Sequence, residues 1–431
     1  SSESRSRNRP SRTSSESHND RIDNPNPSNN SNLTFSWLHT QDHVNDLMEK
    51  LKSGHTSRIP RHIKILLLGY NSSHQDLRTL GLFRALQRDI HVEQVSILFL
   101  NHLQRHLEQG QEEQEPPFWD ALTARALAKA MVGGCGWGNP TKSWHLSQAP
   151  VEILPYLTEA LQEDAQHQQS SEQPSSEQPS ELRISLHRSR QQQQHDEPCC
   201  PLEQEFVRAL VAHPRSRWKR WHLSHFHQGT NETLSSLTTL QLPNNMTHLQ
   251  LVDCDLQGKS VSSLLLKHGN SSSLVHLNLS RNPKLTWFDA QTIISQCPQQ
   301  LQHLNLSQCG LLSKQRFSPH ECNSFVHALN TNRTSLRCLN LWSDLYGPED
   351  SDIFLRALGN LLRQSKNTTL RHVSWSNERH NDEQQEHAND RQQHLEKQVE
   401  YFLALNRHGR NGLRRAVVAA NHHEKETRNC G

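Results

Sequence analysis

The sequence predicts an α/β solenoid, in which short parallel strands alternate with helices along one axis. The first observation is a repeated pentad, HLNLS, which begins at His276 and again at His303. The second is that leucines surround both copies at the spacing L-x-x-L-x-L, followed three residues later by Asn282 or Cys309. The third is the interval of 27 residues from His276 to His303, which leaves room for one helix in each repeat.

The same frame of apolar residues recurs along the chain. Copies begin at Ile63, Trp218, Met246, Leu274, Leu301, Leu336 and Leu370. Thr141–Ala149 is a further predicted strand, because the letters WHLS occur at Trp144 and again at Trp221. Alternate side chains of a strand point to opposite faces, so the leucines are expected to enter one core while the residues between them face outward.

Helices are predicted between the strands wherever apolar residues recur at helical spacing. These segments are Phe118–Met131, Ser260–Lys267, Asp289–Ser295, Glu321–Leu329 and Asp352–Leu362. After the last strand, residues 378–393 lack Pro and Gly and are expected to be partly helical, and Gln398–Leu413 is predicted to form an amphipathic helix. We expect this helix to cap the array, since a terminal repeat would otherwise expose core leucines.

These repeats resemble the leucine-rich repeat, in its ribonuclease-inhibitor-like and cysteine-containing forms. The resemblance is carried by HLQLVDCDL, HLNLSRNPKL, HLNLSQCGLL and CLNLWSDLYG within residues 246–345, with looser matches over 63–104, 141–162 and 370–376. It implies a curved parallel sheet on a concave face and helices on the convex face. The C-terminal LN-x-x-GR motif also resembles the C-terminal segment of uncharacterised leucine-rich repeat proteins of microalgae. This second resemblance implies no activity.

Composition divides the chain into six segments. They are a disordered Ser/Arg/Asn-rich arm at 1–31, degenerate repeats at 32–164, a disordered Gln/Ser/Glu-rich insertion at 165–200, repeats at 201–378, a polar helical segment with the cap at 379–416, and a flexible tail at 417–431. Disorder is expected because only 32% of the residues are hydrophobic. We expect the insertion to interrupt one continuous solenoid; the alternative is two solenoid pieces joined by a linker.

Charge and cysteine content narrow the class of partner. The formal charge is +2, from 46 basic and 44 acidic residues, which does not indicate a nucleic-acid partner. The nine cysteines lack CxxC spacing, which favours a reducing compartment, cytoplasmic or nuclear, over a disulfide framework. No apolar run approaches the roughly 20 residues that cross a bilayer, so no membrane partner is predicted.

The outward positions of the strands supply the candidate binding residues. The predicted set on the concave face is His248, Gln250, His276, Asn278, Ser280, His303, Asn305, Ser307, Asn340, Trp342, His372 and Ser374. The histidines share one template position, which Cys338 fills in the remaining repeat, and repulsion between neighbouring rungs predicts lowered, coupled pKa values. Such a column is either a site for a metal or an acidic partner or, as we favour, a row of solvated side chains. Trp342 is the expected exposed anchor, whereas Trp375 occupies an inward position.

The predicted function is a non-catalytic scaffold that binds another protein through this face. We predict no catalytic residue, cofactor, metal ligand or small-molecule ligand, since no Ser-His-Asp or H-E-x-x-H arrangement occurs and the run Gly133–Gly138 lacks the GK[ST] ending of a phosphate-binding loop. The alternative is a GTPase-activating or other regulatory protein, because one group of regulators of small GTPases uses this repeat type. Its tail is commonly acidic, and the tail here is not. A degradation adaptor or an immune-type receptor fragment is a third class, but neither an F-box nor a nucleotide-binding module is recognisable.

Overall fold

A computed structural model shows where these repeats lie in the fold. It describes residues 41–53, 61–68, 80–86, 92–100, 121–132, 143–168, 180–187, 201–212, 218–226, 245–268, 273–311, 319–331, 335–341, 348–364, 369–375 and 386–409. All of them belong to one compact unit, Thr34–Gly431. The predicted arm at 1–31 and tail at 417–431 lie outside the described residues.

In these described ranges, ten parallel strands form one sheet, and their order in the sheet is their order in the chain. The strands are β1 His62–Leu68, β2 Gln94–Leu100, β3 Ser143–Ala149, β4 Ser180–Leu186, β5 Trp218–Ser224, β6 His248–Val252, β7 His276–Asn278, β8 His303–Asn305, β9 Cys338–Asn340 and β10 His372–Ser374. Each strand from β2 to β9 therefore pairs with the strands of the preceding and following repeats, which confirms the predicted fold class.

Strand β4 corrects the predicted disordered insertion. Ser180–Leu186 lies inside the stretch 165–200 and pairs with β3 on one side and β5 on the other, and the helix Leu154–Gln168 also enters that stretch. The segment SELRISL alternates polar and apolar residues, and Leu182 and Ile184 are buried. Strand pairing depends on this local alternation, whereas the prediction relied on the polar composition of the surrounding tract. The sheet is continuous across this part of the chain.

Helices connect the strands and form a second layer. They are α1 Gln41–Ser53, α2 Ala121–Val132, α3 Leu154–Gln168, α4 Pro201–Ala212, α5 Gly258–His268, α6 Trp287–Gln296, α7 Pro319–Thr331, α8 Pro348–Arg363 and α9 Glu386–His408. Residues 80–86 are also helical, and a 3₁₀ turn, Val151–Ile153, precedes α3. Apolar side chains from both layers form one hydrophobic core, in which the leucines of neighbouring strands lie in register.

Contacts between successive helices hold the outer layer together. Arg125 and Lys129 of α2 form ion pairs of 3.1 Å with Glu159 and Glu163 of α3. Further along the chain, the ring of Trp287 on α6 meets a phenylalanine ring of α7 edge to face, with their centroids 4.6 Å apart. Among the described helices, α2 to α4 and α5 to α9 thus form two runs in which each helix contacts the next one.

Helix α9 packs against α8 and against the final strand. Val399 and Leu403 are fully buried, and the Asn406 amide donates to the carbonyl of Leu370, 2.7 Å away, just before β10. The helix begins twelve residues before the predicted start at 398 and ends at His408, where Gly409 takes a φ of 80° that favours glycine. It covers apolar residues that the last repeat would otherwise expose.

Candidate functional site

A left-handed turn closes three successive strands. Asp253, Arg281 and Gln308 take φ values of 52°, 60° and 56°, although none of them is glycine. The residue after each turn enters the core: Cys254 in one repeat and Asn282 in the next are 2% and 0% exposed. Each turn therefore places one polar or thiol side chain beneath the loop, where it can satisfy backbone groups.

Asn282 satisfies five such groups. Its Oδ1 accepts from the backbone N–H groups of Cys254 (3.0 Å) and Leu256 (3.1 Å) in the preceding repeat. Its Nδ2 donates to the carbonyls of Leu251 (2.9 Å), Leu279 (2.7 Å) and Ser280 (3.1 Å). A single buried amide thus joins two neighbouring repeats through their backbones.

Cysteine occupies the same position in the flanking repeats. The Cys254 thiol donates to the carbonyl of Val252 at 3.3 Å and reaches that of Leu223, one repeat earlier, at 3.5 Å. The Cys309 thiol likewise donates to Leu279 at 3.1 Å. The chain folds as a leucine-rich repeat solenoid. Stacked repeats of one strand and one helix, with leucines and a following Asn or Cys at fixed positions, are the pattern of this architecture.

Comparison with known proteins adds little to this assignment. No family model and no curated protein sequence matches the chain. Among solved structures, it is similar to the leucine-rich repeat-containing protein LegL7 from Legionella pneumophila, with 12% sequence identity and a TM-score of 0.37. The similarity covers 78% of this chain and 98% of that one. The assignment of the fold rests on the repeat geometry.

The face of the sheet that points away from the core, termed here the open face, carries two columns of side chains. The first column contains His62, Gln94, Ser143, Glu181, Arg220, His248, His276, His303, Cys338 and His372. The second contains Lys64, Ser96, His145, Arg183, His222, Gln250, Asn278, Asn305, Asn340 and Ser374. Of the predicted binding residues, Ser280 and Ser307 follow the second column by two residues, while Trp342 lies outside the described residues. Trp375 packs against the core, as its inward position predicts.

Three histidines of the first column form a stacked set, termed here the imidazole ladder. The ring centroids of His248 and His276 are 4.0 Å apart and those of His276 and His303 also 4.0 Å, with interplanar angles of 12° and 9°. Because the rings are stacked in parallel, their nitrogens do not point towards one common position, as metal ligands would. Within the described ranges, no group of His, Cys, Asp or Glu side chains is arranged to hold a metal ion.

The hydrogen bond of His248 identifies where this ring can take up a proton. The Thr247 hydroxyl donates to the Lys219 carbonyl at 3.1 Å, so its oxygen can accept from Nδ1–H of His248, 2.9 Å away. In the neutral ring, Nε2 then carries the free lone pair. Protonation at Nε2 leaves the Thr247 bond intact.

The pKa values of the ladder are lowered, as predicted, but chiefly for a different reason. Burial lowers the pKa of His276 to about 4, and the positive charges of His248, His303 and Arg220 add to the effect. Burial is also the main cause of the lowered pKa values of His248 and His303. Repulsion between rungs is therefore a secondary cause, and the rings themselves are half-buried.

The second column forms a row of amides beside the ladder. The Asn278 amide donates to Gln250 Oε1 at 3.4 Å, and its oxygen accepts from the backbone N–H of Ser280 at 3.0 Å. Asn305 repeats the second contact with Ser307, also at 3.0 Å. These bonds restrain the side chains before any partner arrives, which reduces the entropy that binding would cost.

A charged cluster, which was not predicted from the sequence, lies where β3, β4 and β5 meet. Glu181 accepts from Arg183 at 2.9 Å and lies 3.7 Å from Nε2 of His145. The nearby His145 ring and the hydrogen bond and positive charge of Arg183 hold the pKa of Glu181 at about 2. Burial, followed by the positive charge of Arg183, lowers the pKa of His222 to about 4. Alternation in SELRISL was the signal that could have placed Glu181 and Arg183 on this face.

Two of the buried cysteines belong to the hydrophobic core. Cys297 and Cys322 are buried free thiols with raised pKa values, which suits core packing rather than thiolate chemistry. None of the helices in the described parts of the chain combines the length and the hydropathy needed to cross a membrane.

Proposed function

We propose that this protein is a non-catalytic scaffold that binds a protein partner through the open face of its sheet. The observation that supports the proposal is the pair of columns running in register from β5 to β10. Their side chains are ordered by mutual contacts, as in the 4.0 Å stack of His276 on His303. Ordered amide and imidazole groups can hydrogen-bond both the backbone and the side chains of a protein.

The number of strands in the two columns sets the length of the partner's footprint. Neighbouring strands lie about 4.8 Å apart, so six strands present a strip roughly 24 Å long. An extended segment of about eight residues, at roughly 3.3 Å per residue, spans this strip. A folded partner could contact the same strip and the loops beside it.

Position-specific photo-crosslinking tests this proposal. A photo-reactive amino acid is placed at Asn278 or Asn305 on the open face, and at the exposed Ser295 of α6 as a matched control on the helical layer. The supporting result is one discrete adduct of the same mass from both open-face positions, absent from Ser295 and competed by excess unmodified protein. Thermal melting of each variant verifies that it is folded.

The main competing surface lies on the helices. Leu266 of α5 and Phe288 of α6 leave 67% and 74% of their surface exposed. Photo-crosslinkers at these two positions therefore complete the experiment. Adducts that form there, and not at Asn278 or Asn305, would move the binding surface to the helical layer and refute the proposal.

A further inference from the structure

We propose that the partner presents an acidic segment, which crosses the open face from the charged cluster over the imidazole ladder and takes up protons as it binds. This inference rests on the proposed function and adds the chemistry of the partner. It draws on the charge of the two columns, on unpartnered donors in the cluster, and on the stacking of the histidines.

The charges of the open face are complementary to an acid. From β5 to β10, the described positions of both columns contain Arg220 and five histidines but no carboxylate. Glu181, at the neighbouring strand β4, is engaged by Arg183 and His145. Its negative charge is thus largely balanced inside the cluster, which leaves the charge of Arg220 to be balanced by a partner.

Unpartnered donors in the cluster support this assignment. The Nε atoms of Arg183 and Arg220, and Nδ1 of His222, are buried and have no hydrogen-bond partner. Both guanidinium groups are always protonated, so each such Nε–H is a donor without an acceptor. The Arg183 side chain keeps 40% of its surface exposed, which lets a carboxylate reach its outer nitrogens and offset the local positive charge.

The ladder explains the uptake of protons. At one end of the ladder lie Glu181 on β4 and Arg220 on β5. At the other end lie Arg337, just before β9, Cys338 on β9 and His372 on β10. Positive groups outnumber negative ones in this surrounding, and together with burial they keep the rings neutral. A carboxylate laid over the rings reverses that balance, because an opposite charge within about 4–6 Å favours the protonated imidazole.

The same observations favour an acidic protein segment over a nucleic acid. The whole chain has a formal charge of only +2, and two arginines lie in the described columns, whereas nucleic-acid affinity depends on neutralising many phosphates. The amides of Gln250, Asn278 and Asn305 add hydrogen-bonding groups that suit a peptide backbone.

Fluorescence anisotropy with a defined peptide tests the inference. The probe is a labelled peptide of alternating aspartate and serine, about ten residues long, which is enough to cross six strands. A peptide of alternating asparagine and serine is the neutral control. Binding of the acidic peptide should tighten about tenfold between about pH 7.5 and pH 5.5, as expected if one imidazole rises from a pKa near 4 to about 6.5 on binding.

Two variants and one control separate the contributions. In the double variant His276→Gln, His303→Gln, the affinity for the acidic peptide should change less than about threefold between the two pH values, because two protonation sites of the ladder are lost. Arg220→Ala should weaken binding of the acidic peptide at both pH values, since its charge does not titrate. Arg363→Ala, an exposed cation on α8, should leave binding unchanged, and melting curves verify that each variant is folded.

Three outcomes would overturn the inference. They are equal binding of the neutral peptide, a pH effect that survives in the double histidine variant, and tighter binding of a single-stranded oligonucleotide than of the acidic peptide. Crosslinking at Asn278 distinguishes these failures from failure of the proposed function. If a protein still crosslinks at Asn278 while the acidic peptide does not bind, the scaffold proposal stands and only the acidic partner is refuted.

Discussion

Replacing Asn282 with alanine should lower the free energy of unfolding by about 3–5 kcal/mol. The side chain is 0% exposed and contacts two backbone N–H groups and three carbonyls across two repeats. Alanine removes all five contacts and supplies no substitute. No water reaches these groups unless the turn opens, so they lose their partners within the core.

The magnitude follows from these contacts. Each intramolecular hydrogen bond stabilises a protein by about 1 kcal/mol net, and each buried group left without a partner costs about 1–3 kcal/mol. Nδ2 carries only two hydrogens for its three carbonyl contacts, so the five contacts are worth less than five independent bonds. Partial opening of the turn would let water hydrogen-bond to some of the groups that lose Asn282. The expected cost is therefore about 3–5 kcal/mol, less than the sum of five independent losses.

Two further variants make the experiment specific. Asn282→Cys should cost less than Asn282→Ala, because a thiol at this position donates to carbonyls in both flanking repeats, as the 3.1 Å contact of Cys309 shows. Asn305→Ala, which removes a half-exposed side chain with one acceptor contact to Ser307, should cost less than about 1 kcal/mol.

Urea denaturation followed by circular dichroism measures these free energies, and hydrogen exchange measures the local effect. The amides of Cys254 and Leu256 should lose protection in Asn282→Ala, because they donate to the missing oxygen. If Asn282→Ala is no less stable than Asn305→Ala and both amides stay protected, the buried amide does not join the repeats and our account of the turn is wrong.

The remaining predictions concern a close contact, pH and a thiol. A Cβ on Gly310 would lie 1.8 Å from the Pro283 carbonyl oxygen, so Gly310→Ala should lower the melting temperature. In α8, a Cβ on Gly359 would meet Val399 at 3.7 Å, an ordinary van der Waals contact, so Gly359→Ala should stabilise by up to about 1 kcal/mol through helix propensity. Burial lowers the folded-state pKa of His276 to about 4 from an ordinary 6.5, so the unfolded chain binds the extra proton first. Stability should therefore fall as pH decreases from about 6.5 towards 4, and His276→Gln should flatten that slope in thermal melts; an unchanged slope would contradict the assignment. Burial raises the pKa of Cys322 to about 12, so this thiol should resist alkylation in the folded protein and react only after unfolding, as mass spectrometry of labelled peptides can show.

The sequence predicted the repeat because its signal is local. Leu277 and Leu279 alternate with outward residues, and Asn282 follows at the turn, all within one short segment. The pairing of His276 with His248 and His303 then follows from the constant spacing of the leucines, and the structure has this register. The predicted helices α5 to α8 were also correct within a few residues, since their apolar spacing is equally local.

The charged cluster could not be predicted in the same way. Glu181 and Arg183 lie on a strand inside a polar tract, and their partner His145 is 36 residues earlier in the chain than Glu181. Only the pairing of β4 with β3 brings the two together. The partial burial of the ladder rings could not be predicted for a related reason, because burial of a ring depends on its neighbours across the sheet.

The sequence by itself determined the period, the inward leucines and the alignment of the histidines, because each repeat specifies its own strand and turn. The tertiary structure alone decided which repeats are neighbours near β4, how closely the imidazoles stack, and which charges face each other. These properties arise where strands about 4.8 Å apart join residues distant in the chain, and burial there sets the pKa of His276. The chemistry of the open face is therefore a property of neighbouring repeats together.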